Sequence, residues 1–174
     1  MPDPASATIR RASPRDRDQL IGLVAGFRAA LRSVRTGEPE TVAAKRNAAA
    51  TEEVDEYEAN PAYPIFVAEL GKGELAGYLV CHVVEDVVWA ESLYVLPAYR
   101  HHGIAADLYA EAERLSRDLG GDTVYNWVHP NNDRIIAFLK KRGYDVLNLV
   151  EIRRARAGEE VKGEIQVGEH RFRY

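Results

Sequence analysis

Apolar residues at Leu20, Leu23, Phe27, Leu31 and Val34 recur every three to four positions and predict an amphipathic helix. Its start is signalled by Ser13-Pro14-Arg15-Asp16, with serine as cap and proline at the first helical position, and Thr36-Gly37 ends it. Ala7 to Ala12, just before, reads as a short strand. A second, polar helix is predicted within Glu40 to Glu58, closing before Asn60-Pro61 because a residue preceding proline avoids the helical region. The pattern then changes period. Ile65 to Leu70, Leu75 to Val84 and Val87 to Leu96 are β-rich runs separated by Gly71-Lys72-Gly73 and Glu85-Asp86, short connections that suit antiparallel neighbours. Ile104 to Leu119 returns to helical spacing, with Ile104, Leu108, Ala112, Leu115 and Leu119 on one face and Gly120-Gly121 as the stop. Thr123 to Val128 reads as a strand, Asn131-Asn132-Asp133 caps a short helix from Arg134 to Arg142, and Tyr144 to Arg153 resumes strand character. At the end, EIQV and HRFRY flank Gly168-Glu169, a hairpin signature. The order βααβββαβαβ, with strands in the tail, is that of an α/β chain.

Composition narrows the setting. A chain of 174 residues with 46% apolar and 29% charged residues predicts one globular domain over 1–174. The formal charge of -4 gives no general attraction to nucleic acid or to an anionic membrane, and neither is expected as a partner. Cys81 is the only cysteine, so no intrachain disulfide can form and no cysteine-based metal cluster is available. With no signal-like segment at the start and no apolar run of membrane-spanning length, the expected location is the cytoplasm.

The informative stretch is LYVLPAYRHHGIAADLY, Leu93 to Tyr109. An alternating strand breaks at Pro97 and leads at once into a helix, which places unpaired helix N–H groups at the strand end, where they suit a phosphate. Gly103 and Ala105 keep the turn small, and Arg100 adds a positive charge. The run is neither GxGxxG nor GxxxxGK[ST], which excludes a dinucleotide or P-loop reading.

Arg100-His101-His102-Gly103-Ile104-Ala105 resembles the pyrophosphate loop of the GNAT superfamily of acyl-CoA N-acyltransferases, Q/R-x-x-G-x-G/A. The segment from Asn132 to Tyr144 is similar to a second family pattern, N-x-x-A-x-x-x-Y-x-x-x-G-F. The element order agrees over a core of residues 7 to about 153, with C-terminal strands in 154–174. The resemblance implies a mixed, mostly antiparallel twisted sheet of six or seven strands with about four helices, whose central strands splay apart to form a CoA cleft. It further implies acetyl-CoA as co-substrate, bound by the backbone of Leu93, Tyr94 and Val95, by the loop of Arg100, His101, His102, Gly103, Ile104, Ala105 and Ala106, and by Asn132. The sequence departs from the family at Leu139, where a tyrosine commonly protonates the departing thiolate; leucine donates nothing.

Acetyl transfer to an amine needs the neutral amine, whereas an alkylammonium has a pKa of about 10.4. By resemblance to polyamine acetyltransferases, Glu91 in VVWAESLYV is the candidate general base, acting through water. The competing reading makes Glu91 an exposed strand acid or the partner of an arginine. No metal is expected: His101 and His102 are adjacent on a tight loop and do not converge on one ion, while His82 and His129 read as structural histidines, His129 keeping a slight functional claim beside the cofactor cleft that the resemblance implies. Trp89, Tyr94, Tyr109 and Trp127 read as core or cleft wall. Between Glu38 and Glu58 the acids far outnumber Lys45 and Arg46, either as a solvated helix face or as an acidic roof that attracts a cationic acceptor.

The leading expectation is an acetyl-CoA-dependent N-acetyltransferase that acts by direct attack of a primary amine, with a cationic small molecule as the candidate acceptor. The alternatives are transfer to a protein or peptide amine and a non-catalytic acyl-CoA-binding module, for which Leu139 is the argument. The strand-like runs from Glu151 to Tyr174 predict a homodimer by edge pairing.

Overall fold

A computed structural model describes residues 7–37, 39, 47–161 and 163–174. The chain divides into two compact units, Met1–Trp127 and Val128–Tyr174.

The first unit is a five-stranded sheet with helices on both faces. Its strands, in chain order, are β1 (Thr8–Arg11), β2 (Ile65–Glu69), β3 (Leu75–Val84), β4 (Val87–Val95) and β5 (Tyr125–Asn126), and they lie in the order β1-β2-β3-β4-β5. The first four pair antiparallel, and β5 joins β4 in parallel. Helices α1 (Arg17–Thr36) and α2 (Asn47–Ala59) pack on one face through Leu20, Leu23, Val24, Ala50, Val54 and Tyr57, which meet Ile65, Val67, Tyr78, Val80 and Tyr94 of the sheet. Helix α3 (Ile104–Asp118) contacts β2, β3 and β4 and buries Ile104, Leu108 and Ala112. Covered on both sides, β3 reads as a nearly unbroken apolar run, as a central strand should.

The expected second helix is present as α2, described from Asn47 to Ala59, and it is not polar all round. Ala50, Val54 and Tyr57 are spaced four and three apart, form one stripe and are buried. Its outer acids are tied to α1: Arg17 bonds both Asp55 and Glu58, and Arg28 bonds Glu53 at 2.5 Å. The acidic roof read from the sequence is therefore partly neutralised by arginines of the neighbouring helix. Glu38, Glu40, Lys45 and Arg46 of that reading lie outside the described residues.

The entry to α1 is fixed by a buried ion pair. Asp16 accepts from both terminal nitrogens of Arg10 at 2.7 Å and from the backbone N–H and hydroxyl of Ser13 at 2.7 and 2.8 Å. These donors hold its carboxyl well below the ordinary aspartate range, the Arg10 hydrogen bond contributing most. Arg10 bonds Glu69 as well, so the cluster joins β1, β2 and the helix start.

In the second unit, α4 (Asp133–Lys141) is capped by Asn132, whose side chain accepts from the Ile135 N–H at 3.4 Å. The predicted tail hairpin forms as β6 (Glu164–Val167) and β7 (His170–Arg173), with Gly168 at a φ of 58° in the turn. The seven strands thus form a five-stranded sheet and a separate two-stranded hairpin rather than one sheet. The strand expected from Tyr144 to Arg153 is absent. Its apolar residues face solvent, with Val146 87%, Leu147 69% and Ile152 66% exposed, and alternation without a partner surface does not make a ladder. No described helix is long and apolar enough to cross a membrane.

Candidate active site

Strand β4 carries the geometry that matters. It pairs with β5 at only two positions, Trp89 with Tyr125 and Ala90 with Asn126, and from Glu91 onward its β5 side has no ladder partner among the described residues. That is the splay expected of the central strands. At the same point the β3–β4 register slips: Val80 faces Ser92 and Cys81 faces Ala90, which leaves Glu91 as the extra residue of a bulge. A bulge re-aims a side chain and bends its strand, so Glu91 marks both the slip and the parting of β4 from β5.

The surroundings of Glu91 are acidic and aromatic. Its carboxyl is raised above the ordinary glutamate value, chiefly because neighbouring protein strips it of water and further because of the Glu53 and Glu56 charges; His82 works the other way. Although Glu91 reaches solvent, it is therefore not an ordinary surface acid. Tyr57 donates to Glu53 at 2.8 Å, and burial with that carboxylate raises the Tyr57 hydroxyl beyond the usual phenol range. Tyr63 stacks on His82 at 4.4 Å. The Ser92 hydroxyl neighbours those of Tyr57 and Tyr78, and Ser92 Oγ and Tyr78 OH are buried without a hydrogen bond of ordinary length.

The loop after β4 adopts the conformation its glycine permits. A turn of 3-10 helix at Pro97–Tyr99 leads through His101 at a φ of 67° to Gly103 at 86°, the residue that caps α3. Ala106 and Asp107 N–H both donate to the Gly103 carbonyl, at 2.8 and 3.1 Å, so the Ile104 and Ala105 amides precede the first intrahelical donors. A Cβ at Gly103 would find nothing nearer than Asp107 Oδ2 at 4.0 Å. No protein atom crowds that side of Gly103, and the donors and helix terminus of the loop suit a pyrophosphate. Asp107 in the first turn is the one feature that opposes an anion there.

The structure distinguishes backbone from side-chain roles among the expected cofactor residues. His101 and His102 are exposed, and Ala105 and Ala106 are half-buried. Ile104 is buried and can offer only its amide. Tyr94 and Val95 are buried too: the Tyr94 ring lies so close to α1 that a Cβ on Gly26 would meet it at 2.7–2.8 Å. Leu93, Tyr94 and Val95 can thus serve a ligand through the main chain. Arg100 is turned back onto β4, its Nε donating to the Val95 carbonyl at 2.9 Å and its guanidinium 5.3 Å from the Tyr94 ring centroid.

Glu91, Leu93–Val95 and the 100–106 loop are brought together within one unit, on β4 and the segment that follows it. Asn132 belongs to the other unit, where its side chain caps α4, and Leu139 is buried there. No group of His, Cys, Asp and Glu suited to a metal occurs among the described residues. Sequence reasoning missed Tyr57, Tyr63 and Ser92 and treated His82 as merely structural. The spacing of Tyr57 four residues after Glu53 was the available signal for the first; nothing local marked the others.

Comparison with known proteins agrees with this geometry. The model of the acetyltransferase (GNAT) family matches residues 30–144. No curated protein matches. Among solved structures, aminoglycoside N-acetyltransferase AAC(6')-Iy with the bisubstrate analogue CoA-S-monomethyl-acetylneamine superposes with a TM-score of 0.63 at 20% identity, covering 86% of this chain and 98% of that one. A putative acetyltransferase from Pyrococcus furiosus gives 0.64 at 18% identity, covering 86% and 100%. The apo aminoglycoside 6'-N-acetyltransferase AAC(6')-IG from Acinetobacter haemolyticus gives 0.57 at 17% identity, covering 89% and 99%. With the family model matched over well more than half of this chain, the chain belongs to the GNAT family of acetyltransferases.

Proposed function

We propose that the protein is an acetyl-CoA-dependent N-acetyltransferase that modifies a primary amine on a cationic small molecule, with Glu91 as general base. The observation that carries this is the placement of Glu91 on the β4 bulge, where β4 leaves β5 and where Glu53 and Glu56 act on it. The residues present fit a CoA ester: the open side of the 100–106 loop and the first amides of α3 suit the pyrophosphate, and the stretch of β4 beyond its β5 pairing offers main-chain groups to the pantetheine amides. The solved neighbours bound to CoA and to a CoA-linked acceptor analogue support this reading.

Acetyl-CoA supplies a thioester. The chain's task is to present a neutral amine to it: Glu91, directly or through one water, takes the proton the ammonium must lose, the new N–C bond forms as the C–S bond breaks, and CoA departs as a thiol after protonation. Raising the Glu91 carboxyl strengthens it as a base, which is the direction such a role requires. Alignment of the two reactants accounts for roughly 7–11 kcal/mol of barrier lowering in well-oriented systems, so catalysis does not depend on a tyrosine at Leu139.

The test is thiol release from acetyl-CoA with a panel of primary amines, including polyamines, amino acids and short peptides. Turnover with cationic small amines above the hydrolysis background is expected. Stabilisation by CoA with no thiol release for any amine would make the chain a binding module instead.

The exposed apolar run at Val146, Leu147, Leu149, Val150 and Ile152 supports self-association, with a second copy covering this run. Light scattering is expected to give a dimer mass, shifted toward monomer by Leu147→Glu; a monomer mass for the parent protein at high concentration would refute it.

A further inference from the structure

A row of rings lies on the α1–α2 face of the sheet, beside Glu91 and outside the chemistry described so far. Trp89 faces His82 across β3–β4 and Tyr125 across β4–β5, so the three side chains share one face. Trp127 stacks on Trp89 at 5.0 Å and 16°, and Trp89 meets Tyr125 at 5.0 Å and 33°. Asn126, between Tyr125 and Trp127, accepts from Tyr109 of α3 at 3.0 Å. That contact turns its two neighbours to the opposite face, toward α1 and α2. The row continues through His82 to Tyr63.

Trp127 is 59% exposed, so one indole face stacks and the other is open to water. The surrounding charge is negative: the Glu91 and Glu56 carboxylates act on Tyr63, and those of Glu53 and Glu56 act on Glu91. Trp89, which Trp127 covers, stands two residues before Glu91 on β4, and this puts the stack next to the bulge. An open indole face beside carboxylates attracts a cation, because the ring quadrupole and the acids act in the same direction.

We propose that Trp127, backed by Trp89, is a specificity-determining surface that takes a second ammonium group of the acceptor while the reacting amine lies at Glu91. The preferred acceptor is then a diamine or longer oligoamine rather than a monoamine, its two nitrogens on the order of 5–10 Å apart. This rests on the acetyltransferase reading and adds the charge and reach of its substrate.

The experiment compares 1,5-diaminopentane with pentylamine in the full-length protein. In the parent, kcat/KM for the diamine exceeds that for the monoamine. Trp127→Ala lowers this ratio about 2-fold to 30-fold, the range that a cation over an indole supports, and Trp127→Phe restores part of it. A ratio unchanged in Trp127→Ala, or equal losses for both amines, overturns the proposal. The two tryptophans of the chain are both in this stack, so intrinsic fluorescence reports on it without turnover. Saturable quenching by the diamine, absent with pentylamine and lost in Trp127→Ala, supports the surface even if no amine is acetylated, an outcome that sinks only the catalytic reading. No difference between the two amines in fluorescence refutes the surface even if acetylation is observed.

Discussion

Gly103→Val separates the folding role of the 100–106 loop from its binding role. Gly103 sits at a φ of 86° and a ψ of -16°, a region that costs an L-residue roughly 1–2 kcal/mol and suits a β-branched one least. The added side chain meets no protein atom closer than 4.0 Å, so the folded free protein is strained by conformation and not by collision. A loss of about 2 kcal/mol in a chain of this size lowers Tm by about 4–8 °C. On the proposed reading binding suffers separately, because a branched side chain is added to the loop whose Ile104 and Ala105 amides are offered to the pyrophosphate. Calorimetric titration with CoA is expected to show Kd raised at least about 10-fold, equivalent to 1.4 kcal/mol. Gly103→Asn, whose side chain tolerates positive φ, is expected to recover much of the Tm and less of the affinity. A valine variant with lowered Tm and parental CoA affinity would refute the assignment of the loop.

Asp16→Asn is expected to destabilise the protein by roughly 1.5–3 kcal/mol at neutral pH, since it removes a charge-assisted pair with Arg10. The folded Asp16 carboxyl lies below its unfolded value, so its contribution is complete above about pH 4 and is lost as the pH falls further; urea titrations of parent and variant should converge in that range. Tyr78→Phe is expected to raise stability by about 1 kcal/mol, because the buried hydroxyl it deletes makes no hydrogen bond of ordinary length, and a lower denaturation midpoint would show that its contact with the Ser92 hydroxyl is a stabilising one.

The parts of this molecule governed by local rules were legible in the sequence. Strand β3 runs from Leu75 to Val84 as its apolar pattern predicts, and α3 begins at Ile104 because Gly103 supplies the left-handed cap. The loop and the base candidate were legible through motif resemblance. Three features needed tertiary context. The 144–153 run alternates like a strand, yet strand formation depends on a partner edge that the pattern does not specify. The bulge at Glu91 is a mismatch between two strands and leaves no mark on either alone. The α2 acids counted as a negative roof, but their pairing with Arg17 and Arg28, far away along the chain, appears only once α1 and α2 pack.

The pH–rate profile of Glu91→Gln against the parent tests the central claim most directly. The substitution keeps the shape of the side chain and removes the base. The account predicts intact CoA binding, loss of most turnover near pH 7, and partial recovery at alkaline pH as more of the amine arrives deprotonated. It also predicts a Tm at pH 7–8 no lower than the parent's. The folded Glu91 carboxyl is raised above its unfolded value, so the ionised form gives up stability as the pH rises through the folded value, and glutamine does not. Parental turnover from pH 6 to 9 with a good acceptor would contradict the account and leave Glu91 a structural residue of the bulge.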